Sequence, residues 1–395
     1  MTTKLTIYQT GSLIALFSLA ISTAWTITPV GSQISAPSAN KVIQISGKMK
    51  YFSLKGTCVG LDTLYFCPQL NGSANTLNYQ PNGWKILQDL GINIIRVDDG
   101  PMGDVAHFNV MNYPDEWAQN LESFLATAQA YKILVTFLRM GDGDHGTLFD
   151  VVCPEPYAGI NGTSIEKSKN IIDKLAGDNA LHHNFIADPR ILAWSIANEV
   201  DMNNPVTLNW CINILDYVRS KGGKAFVSSP CNSSLSSNWI ASMDLNYIEP
   251  VLEGHVDFLE INFYDGIYAA AAAKESGNSI YEAAYNDMQN CLSKYFVSGR
   301  GSIPLENLII GEFGIWHGYC SCWGATANFT NKDVNDYYRG VYDCAKDLGI
   351  RNVFNFCCFY EKNRTGNYVF SAPWWCVNAD GSFISAKTDV LKEQV

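Results

Sequence analysis

An alternation limits the fold of this chain more than any other feature: an apolar run of strand length gives way to a helical stretch, eight times in succession. Strand-like runs fall at 51–60, 92–97, 133–138, 191–197, 224–228, 256–264, 308–312 and 352–359. Several are apolar almost throughout, as strands covered on both faces are. Helical stretches follow at 84–90, 115–131, 165–185, 205–220, 279–296, 334–348 and 385–393, with 239–253 as the segment after the fifth strand. The second places Trp117, Leu121, Phe124, Leu125 and Ala128 at helical spacing, while Gly91 and Gly349 supply C-terminal stops. Eight such units predict a closed (β/α)8 barrel of the TIM type, one catalytic domain with long βα loops after strands one, three, seven and eight. The rival, an open doubly wound sheet, lacks the Gly-x-Gly-x-x-Gly turn after its first strand that would signal a dinucleotide. No cofactor is expected.

In a barrel of this kind chemistry gathers where the strands end. Two glutamates stand there. Glu199 closes the fourth run after Asn198, and Glu312 closes the seventh in Ile309-Ile-Gly-Glu-Phe-Gly314. Charge at the end of a buried strand is costly unless it lies at a mouth with partners. Strands four and seven are nearly opposite in an eight-membered ring, so both carboxylates can converge over the opening. Carboxyl groups about 5–5.5 Å apart would cleave a glycosidic bond by double displacement with retention. Arg96, ending strand two, is expected to keep Glu312 ionised, and Tyr264, ending strand six, to hold it through its hydroxyl. Asn198 is expected to bind the sugar hydroxyl beside the reacting carbon. Either glutamate alone reads as readily as a structural carboxylate capping the next helix. Together with Arg and Tyr on intervening strand ends, they favour chemistry.

These stretches resemble the retaining (β/α)8 glycoside hydrolases, and most closely glycoside hydrolase family 5. The likeness rests on Gly91-Ile-Asn-Ile-Ile-Arg96, Pro189-Arg-Ile-Leu-Ala-Trp-Ser-Ile-Ala-Asn-Glu199 and the Glu312 motif, and covers roughly residues 50–390. Within the family the chain looks most like endo-β-1,4-mannanases. The resemblance implies Glu199 as acid/base and Glu312 as nucleophile, acting on β-1,4-linked polysaccharide, mannan or glucomannan first and glucan second. The chain departs from the family at two points. Asn262 stands where many members carry His, and Phe356-Cys357-Cys358-Phe359 replaces the strand-eight run that usually brings a Trp. A transglycosylase, or a non-catalytic carbohydrate-binding surface protein, is the alternative on the same barrel.

Flat rings stack on the apolar face of a pyranose. Trp316, Trp323, Trp374 and Trp375 lie in the last two loops and are expected in the cleft, with His145 of the loop after strand three touching substrate. Trp84, Trp117 and Trp210 read as packing residues, Trp194 as core. His182-His183 reads as a surface pair ending a helix. No metal site is expected, since no Cys-x-x-Cys spacing exists.

Residues 1–25 read as a signal peptide or N-terminal membrane anchor, 26–45 as a tether and 46–395 as the hydrolase domain. Five Asn-x-Ser/Thr acceptors (Asn71, Asn161, Asn232, Asn328, Asn363) and 12 cysteines point the same way, to a secreted protein or one anchored at the outer face of the membrane. Disulfides are expected to tie the long loops, through Cys320, Cys322, Cys357, Cys358 and Cys376, with Cys58 to Cys67 as a loop-one bridge. A formal charge of −11 without a basic stripe argues against nucleic acid. The expected partner is a polysaccharide or oligosaccharide, and the protein is expected to act as a monomer.

Overall fold

Eight parallel strands close on themselves in the computed structural model of the chain. Residues 54–59, 83–97, 114–137, 162–196, 205–231, 254–297, 305–322, 325–358, 375–378 and 382–394 are described. The expectations for residues 1–45, for 239–253, for Cys67 and for the acceptors other than Asn328 lie outside them. In chain order the elements are β1 (Leu54–Val59), α1 (Gly83–Asp89), β2 (Ile94–Val97), α2 (Pro114–Ala130), β3 (Leu134–Phe137), α3 (Gly162–Leu175), β4 (Ile191–Ser195), α4 (Pro205–Ser220) and β5 (Ala225–Cys231). Then come β6 (Phe258–Phe263), α5 (Gly266–Ser276), α6 (Ile280–Val297), β7 (Leu308–Glu312), the hairpin β8 (Gly318–Cys322) and β9 (Ala325–Phe329), α7 (Asn331–Asp347), β10 (Asn352–Asn355) and α8 (Ser385–Glu393). Around the ring the order is β1-β10-β7-β6-β5-β4-β3-β2, so β10 is the eighth barrel strand and pairs with β1.

Alternation along each strand sorts side chains into two cores. Ile94, Ala193, Phe226, Phe258, Ile309 and Phe354, from six different strands, form a small cluster of their own. This is the filling of the barrel. Intervening residues such as Ile95, Val97, Leu259, Ile261, Leu308 and Ile310 join the large cluster that the helices cover. Gly56 of β1 makes room for the filling, since a Cβ there would fall 2.2 Å from the Phe354 ring. Two residues further along β2 and β6, the same inward rows carry Arg96 and Glu260 in place of hydrocarbon.

Two buried lysines fasten the terminal helix. Lys55 of β1 donates to the carbonyl of Leu90 at 2.7 Å and to that of Leu391, tying the ends of α1 and α8 together. Lys387 of α8 is 1% exposed and donates to the Trp375 carbonyl at 3.2 Å. Burial drags its pKa down to about 8, partly opposed by the neighbouring Cys376 and Cys357. Its ordinary value is 10.5, so between about pH 8 and 10.5 the unfolded chain holds a proton that the folded chain has released. Stability from this group therefore rises with pH across that window. Cys376, pushed up to about 11 by burial, contributes with the opposite slope, so the test is a difference. Lys387→Met is expected to be neutral or stabilising by about 1–3 kcal/mol at pH 7. Its advantage over wild type in urea unfolding should shrink as pH rises to 10, and a pH-independent difference would refute this account.

Several elements depart from the sequence reading. The helix expected over 165–185 stops at Leu175. Gly177 takes φ 137°, and Asn179 then knots the loop, donating to the carbonyls of Lys174 (2.8 Å) and His183 (3.1 Å) and accepting from the Leu181 and His183 amides. An extra helix, α5, follows β6, and the loop after β7 contains the β8–β9 hairpin. Asn328 lies exposed on β9 beside Tyr319 of β8.

The expected loop disulfides at Cys357, Cys358 and Cys376 are a correction: all three are buried thiols. Backbone bonds do the tying instead. The Cys376 amide donates to the carbonyls of Cys357 (3.1 Å) and Cys358 (2.9 Å), and the Val377 amide to that of Cys358 at 2.9 Å. Cys58 is likewise a buried thiol, 3.6 Å from the Gly311 carbonyl, rather than half of a bridge to Cys67. Cys320 is also a buried thiol. Cys291, for which no role was expected, is disulfide-bonded. Among the described residues no helix is long and apolar enough to cross a membrane.

Candidate active site

At the C-terminal end of the barrel, β2, β6 and β7 bring three charged side chains into contact. Arg96 is fully buried and forks between two carboxylates, Nη1 donating to Glu260 Oε1 and Nη2 to Glu312 Oε1. Glu312 is 6% exposed, and its other oxygen accepts the Tyr264 hydroxyl at 2.5 Å. Both oxygens of Glu312 are thus held by donors, which fixes the plane of the carboxylate. Tyr264 in turn meets Phe356 edge-on, with ring centroids 6.4 Å apart and an interplanar angle of 78°. Asn262, 1% exposed, stands between Glu260 and Tyr264 on the same strand run.

A bulge aims Glu312. Simple alternation from Leu308 and Ile310, which face the helices, would send Glu312 outward as well. Instead the register slips: Ile261 pairs with Ile310, but Asn262 pairs with Glu312, so β7 carries one extra residue at Gly311. Such an insertion re-aims the side chain that follows it. Gly311 also leaves the space that Glu260 fills, because a Cβ on it would fall 2.3 Å from the Glu260 carboxyl group. The Gly-Glu pair in the sequence therefore has two structural causes, the bulge and the neighbouring carboxylate.

The expected contacts of Arg96 and Tyr264 with Glu312 are both present. Glu199, Asn198, His145 and Trp374 lie outside the described residues. So does Trp323. Trp316 is a correction. It is 3% exposed, packs in the main core and donates Nε1 to the Tyr319 carbonyl at 3.1 Å, so it supports the hairpin rather than offering a face to sugar. Trp375 is half-buried against the core, its Nε1 bonded to Asn378 Oδ1 at 3.2 Å. Trp84, Trp194 and Trp210 are buried packing residues, as expected.

Glu260 is the site residue that the sequence reading passed over. Its signal was there: a charge in the buried run Phe258-Leu-Glu-Ile-Asn-Phe, in phase with Phe258 and Asn262. A charge so placed requires a cation from another strand.

One further cluster has the spacing of metal ligands, Glu122, His183 and Asp188, whose ligand atoms lie within 4.8 Å of one another. It sits before β4, at the opposite end of the barrel from Glu312. Arg190 already occupies it, donating Nη1 and Nη2 to Glu122 at 2.7 and 2.6 Å, and Nε and Nη2 to Asp188 at 2.9 and 2.6 Å. The guanidinium takes the place a cation would need. His183 lies at the surface as expected, its side chain 40% exposed, and its Nε2 lies 2.7 Å from Asp188 Oδ2.

No family model matches the sequence, and no curated protein does. Among solved structures, the chain is similar to a glycoside hydrolase family 5 mannosidase from Rhizomucor miehei, with TM-score 0.58 and 15% identity over 86% of this chain and 94% of that one. It is also similar to an endo-1,4-β-mannanase from the same organism, with TM-score 0.54 and 15% identity over 89% and 96% of the two chains. A β-glucuronidase from an uncultured Clostridium matches with TM-score 0.54 and 15% identity over 88% of this chain. The chain spans about half of that glucuronidase, 51% of its length. At such identities the shared property is the fold alone, a (β/α)8 barrel of the TIM type.

Proposed function

We propose that the protein is a retaining β-glycoside hydrolase of the family 5 type, with Glu312 as nucleophile and Glu199 as acid/base. The observation that carries this reading is the clamp on Glu312. A carboxylate at the end of a barrel strand, aimed inward by a bulge and held on both oxygens by Arg96 and Tyr264, is prepared to attack an electrophilic carbon. In the first step Glu312 attacks the anomeric carbon while Glu199 protonates the leaving oxygen. In the second, Glu199 takes a proton from the water that releases the sugar. Phe356, edge-on to Tyr264, takes the place of the strand-eight Trp as part of the sugar's floor.

The substrate favoured is a β-1,4-linked mannan or glucomannan, with glucan second. The mannosidase and mannanase folds support this order, as do the sequence stretches that resemble mannanases. Export, with the N-terminal segment as signal or anchor, is part of the same proposal. Release of reducing ends should be measured on mannan, glucomannan, carboxymethylcellulose and xylan. Hydrolysis is expected on the first two. Longer products from short oligosaccharides would mark a transglycosylase, and inertness on all four, with no turnover of an activated aryl β-mannoside or β-glucoside, would overturn the reading.

A further inference from the structure

We infer that Glu260 is a positioning residue for the nucleophile: it remains Arg96's anionic partner at the moment Glu312 gives up its own charge. The inference rests on the reading of Glu312 as nucleophile. Glu260 is 1% exposed on β6, and its carboxylate accepts from Arg96 Nη1 while Glu312 accepts from Nη2. One buried cation thus faces two buried anions.

In the glycosylation step an oxygen of Glu312 forms a bond to the anomeric carbon. The glycosidic C–O bond breaks, its electron pair stays with the leaving oxygen, and that oxygen takes the proton of the acid. Glu312 changes from an anion to a neutral ester. Arg96 cannot release a proton to compensate. With Glu260 beside it, the guanidinium passes from two carboxylate partners to one. Without that charge it would pass from one to none of this pair, in a site where separating a buried ion from its partner costs several kcal/mol. The negative charge of Glu260 therefore stabilises the glycosyl-enzyme relative to the states on either side of it.

The geometry serves this end at some structural cost. Glu260 interrupts an inward row that is otherwise apolar or polar and neutral along β6, and it is accommodated because position 311 has no side chain. By holding Nη1, Glu260 also turns Nη2 toward Glu312. A residue that only filled space would need neither the charge nor the glycine opposite.

The test uses 2-deoxy-2-fluoro-β-mannosyl and β-glucosyl fluorides on the full chain, with covalent labelling followed by mass spectrometry and the adduct located by peptide mapping. Wild type is expected to be labelled on Glu312. Glu260→Gln is expected to label ~30-fold more slowly, with little change in the inactivator's binding constant, and its isolated adduct should hydrolyse severalfold faster than that of wild type. Faster breakdown is the discriminating result, because a merely mispositioned nucleophile would slow both steps. Glu260→Asp, which keeps the charge but withdraws it, should move both rates in the same directions by less, and decides the matter if the Gln variant does not fold. Labelling within twofold of wild type, or an adduct that outlives the wild-type one, would overturn the role of Glu260 and leave Glu312 as nucleophile. Absence of any adduct on wild-type Glu312 would overturn both.

Discussion

Glu312→Ala is expected to lower kcat by on the order of 10⁴-fold, about 5.5 kcal/mol at 1.36 kcal/mol per tenfold, while the barrel stays folded. The size of the effect follows from what the carboxylate is held to do. Arg96 and Tyr264 fix both of its oxygens, and the bulge at Gly311 points it into the barrel mouth. Under the proposed mechanism, removing it deletes the attacking atom, and no other described side chain occupies its place. The fold should tolerate the change, because Arg96 keeps Glu260 as a partner. If the deleted group is the nucleophile, a small anion such as azide should restore turnover by attacking from the vacated side. The product would then be a glycosyl azide of inverted configuration, whereas wild type releases sugar of retained configuration, both readable by NMR. Glu199→Gln should lose activity chiefly on substrates with poor leaving groups, because its missing proton matters most there. Activity near wild type in Glu312→Ala would remove the mechanism proposed here.

The second large effect lies at the other end of the barrel and concerns stability. Arg190→Ala is expected to destabilise the fold by roughly 3–5 kcal/mol, a sizeable share of the 5–15 kcal/mol typical of a domain. Asp188 is the reason. Its side chain is 1% exposed, and Arg190 supplies two side-chain donors and a backbone amide to it. Burial works to raise the Asp188 pKa, but the hydrogen bonds from Arg190 and His183 outweigh it and hold the carboxyl below its ordinary 3.8. Glu122 is held below 4.5, first by its hydrogen bonds from Arg190, although its larger exposure makes that contribution smaller. Both folded pKa values are depressed. Their stabilisation is therefore fully present above the ordinary values and is lost as pH falls through them. The difference in urea midpoint between wild type and Arg190→Ala should accordingly be widest near neutrality and narrow below about pH 4. A gap that stays constant from pH 7 to pH 3 would mean that packing, not charge, holds this junction.

Particular residues show how far the sequence could be read. Ile94 to Val97 and Phe258 to Phe263 are apolar enough to announce strands, and their order along the chain implied the ring. Arg96, Tyr264 and Glu312 were legible because each ends a strand, where a barrel gathers its chemistry. Glu260 was harder. Its partner lies 164 positions away in sequence, and nothing local says which cation will meet it. The burial of Trp316 was hidden for a similar reason, since an aromatic soon after Glu312 suits a cleft until its ring is seen buried and bonded to the hairpin at Tyr319. The cysteines misled because an even count and their loop positions favour bridges. Whether Cys357, Cys358 and Cys376 are bridged depends on backbone pairing between segments that sequence does not place together.

What the sequence alone determined is the eight barrel strands and most of the helices between them. Periodicity of two in strands and near 3.6 in helices is a local property, and eight repetitions of the unit leave few ways to bury the apolar faces. What the tertiary structure decided is which charges share a guanidinium and where each carboxylate points. Those outcomes hang on register between distant strands, and a single extra residue at Gly311 reverses the direction of the side chain after it. The barrel follows from pattern. The clamp on Glu312, with Glu260 on the other arm of Arg96, follows from closure of the ring.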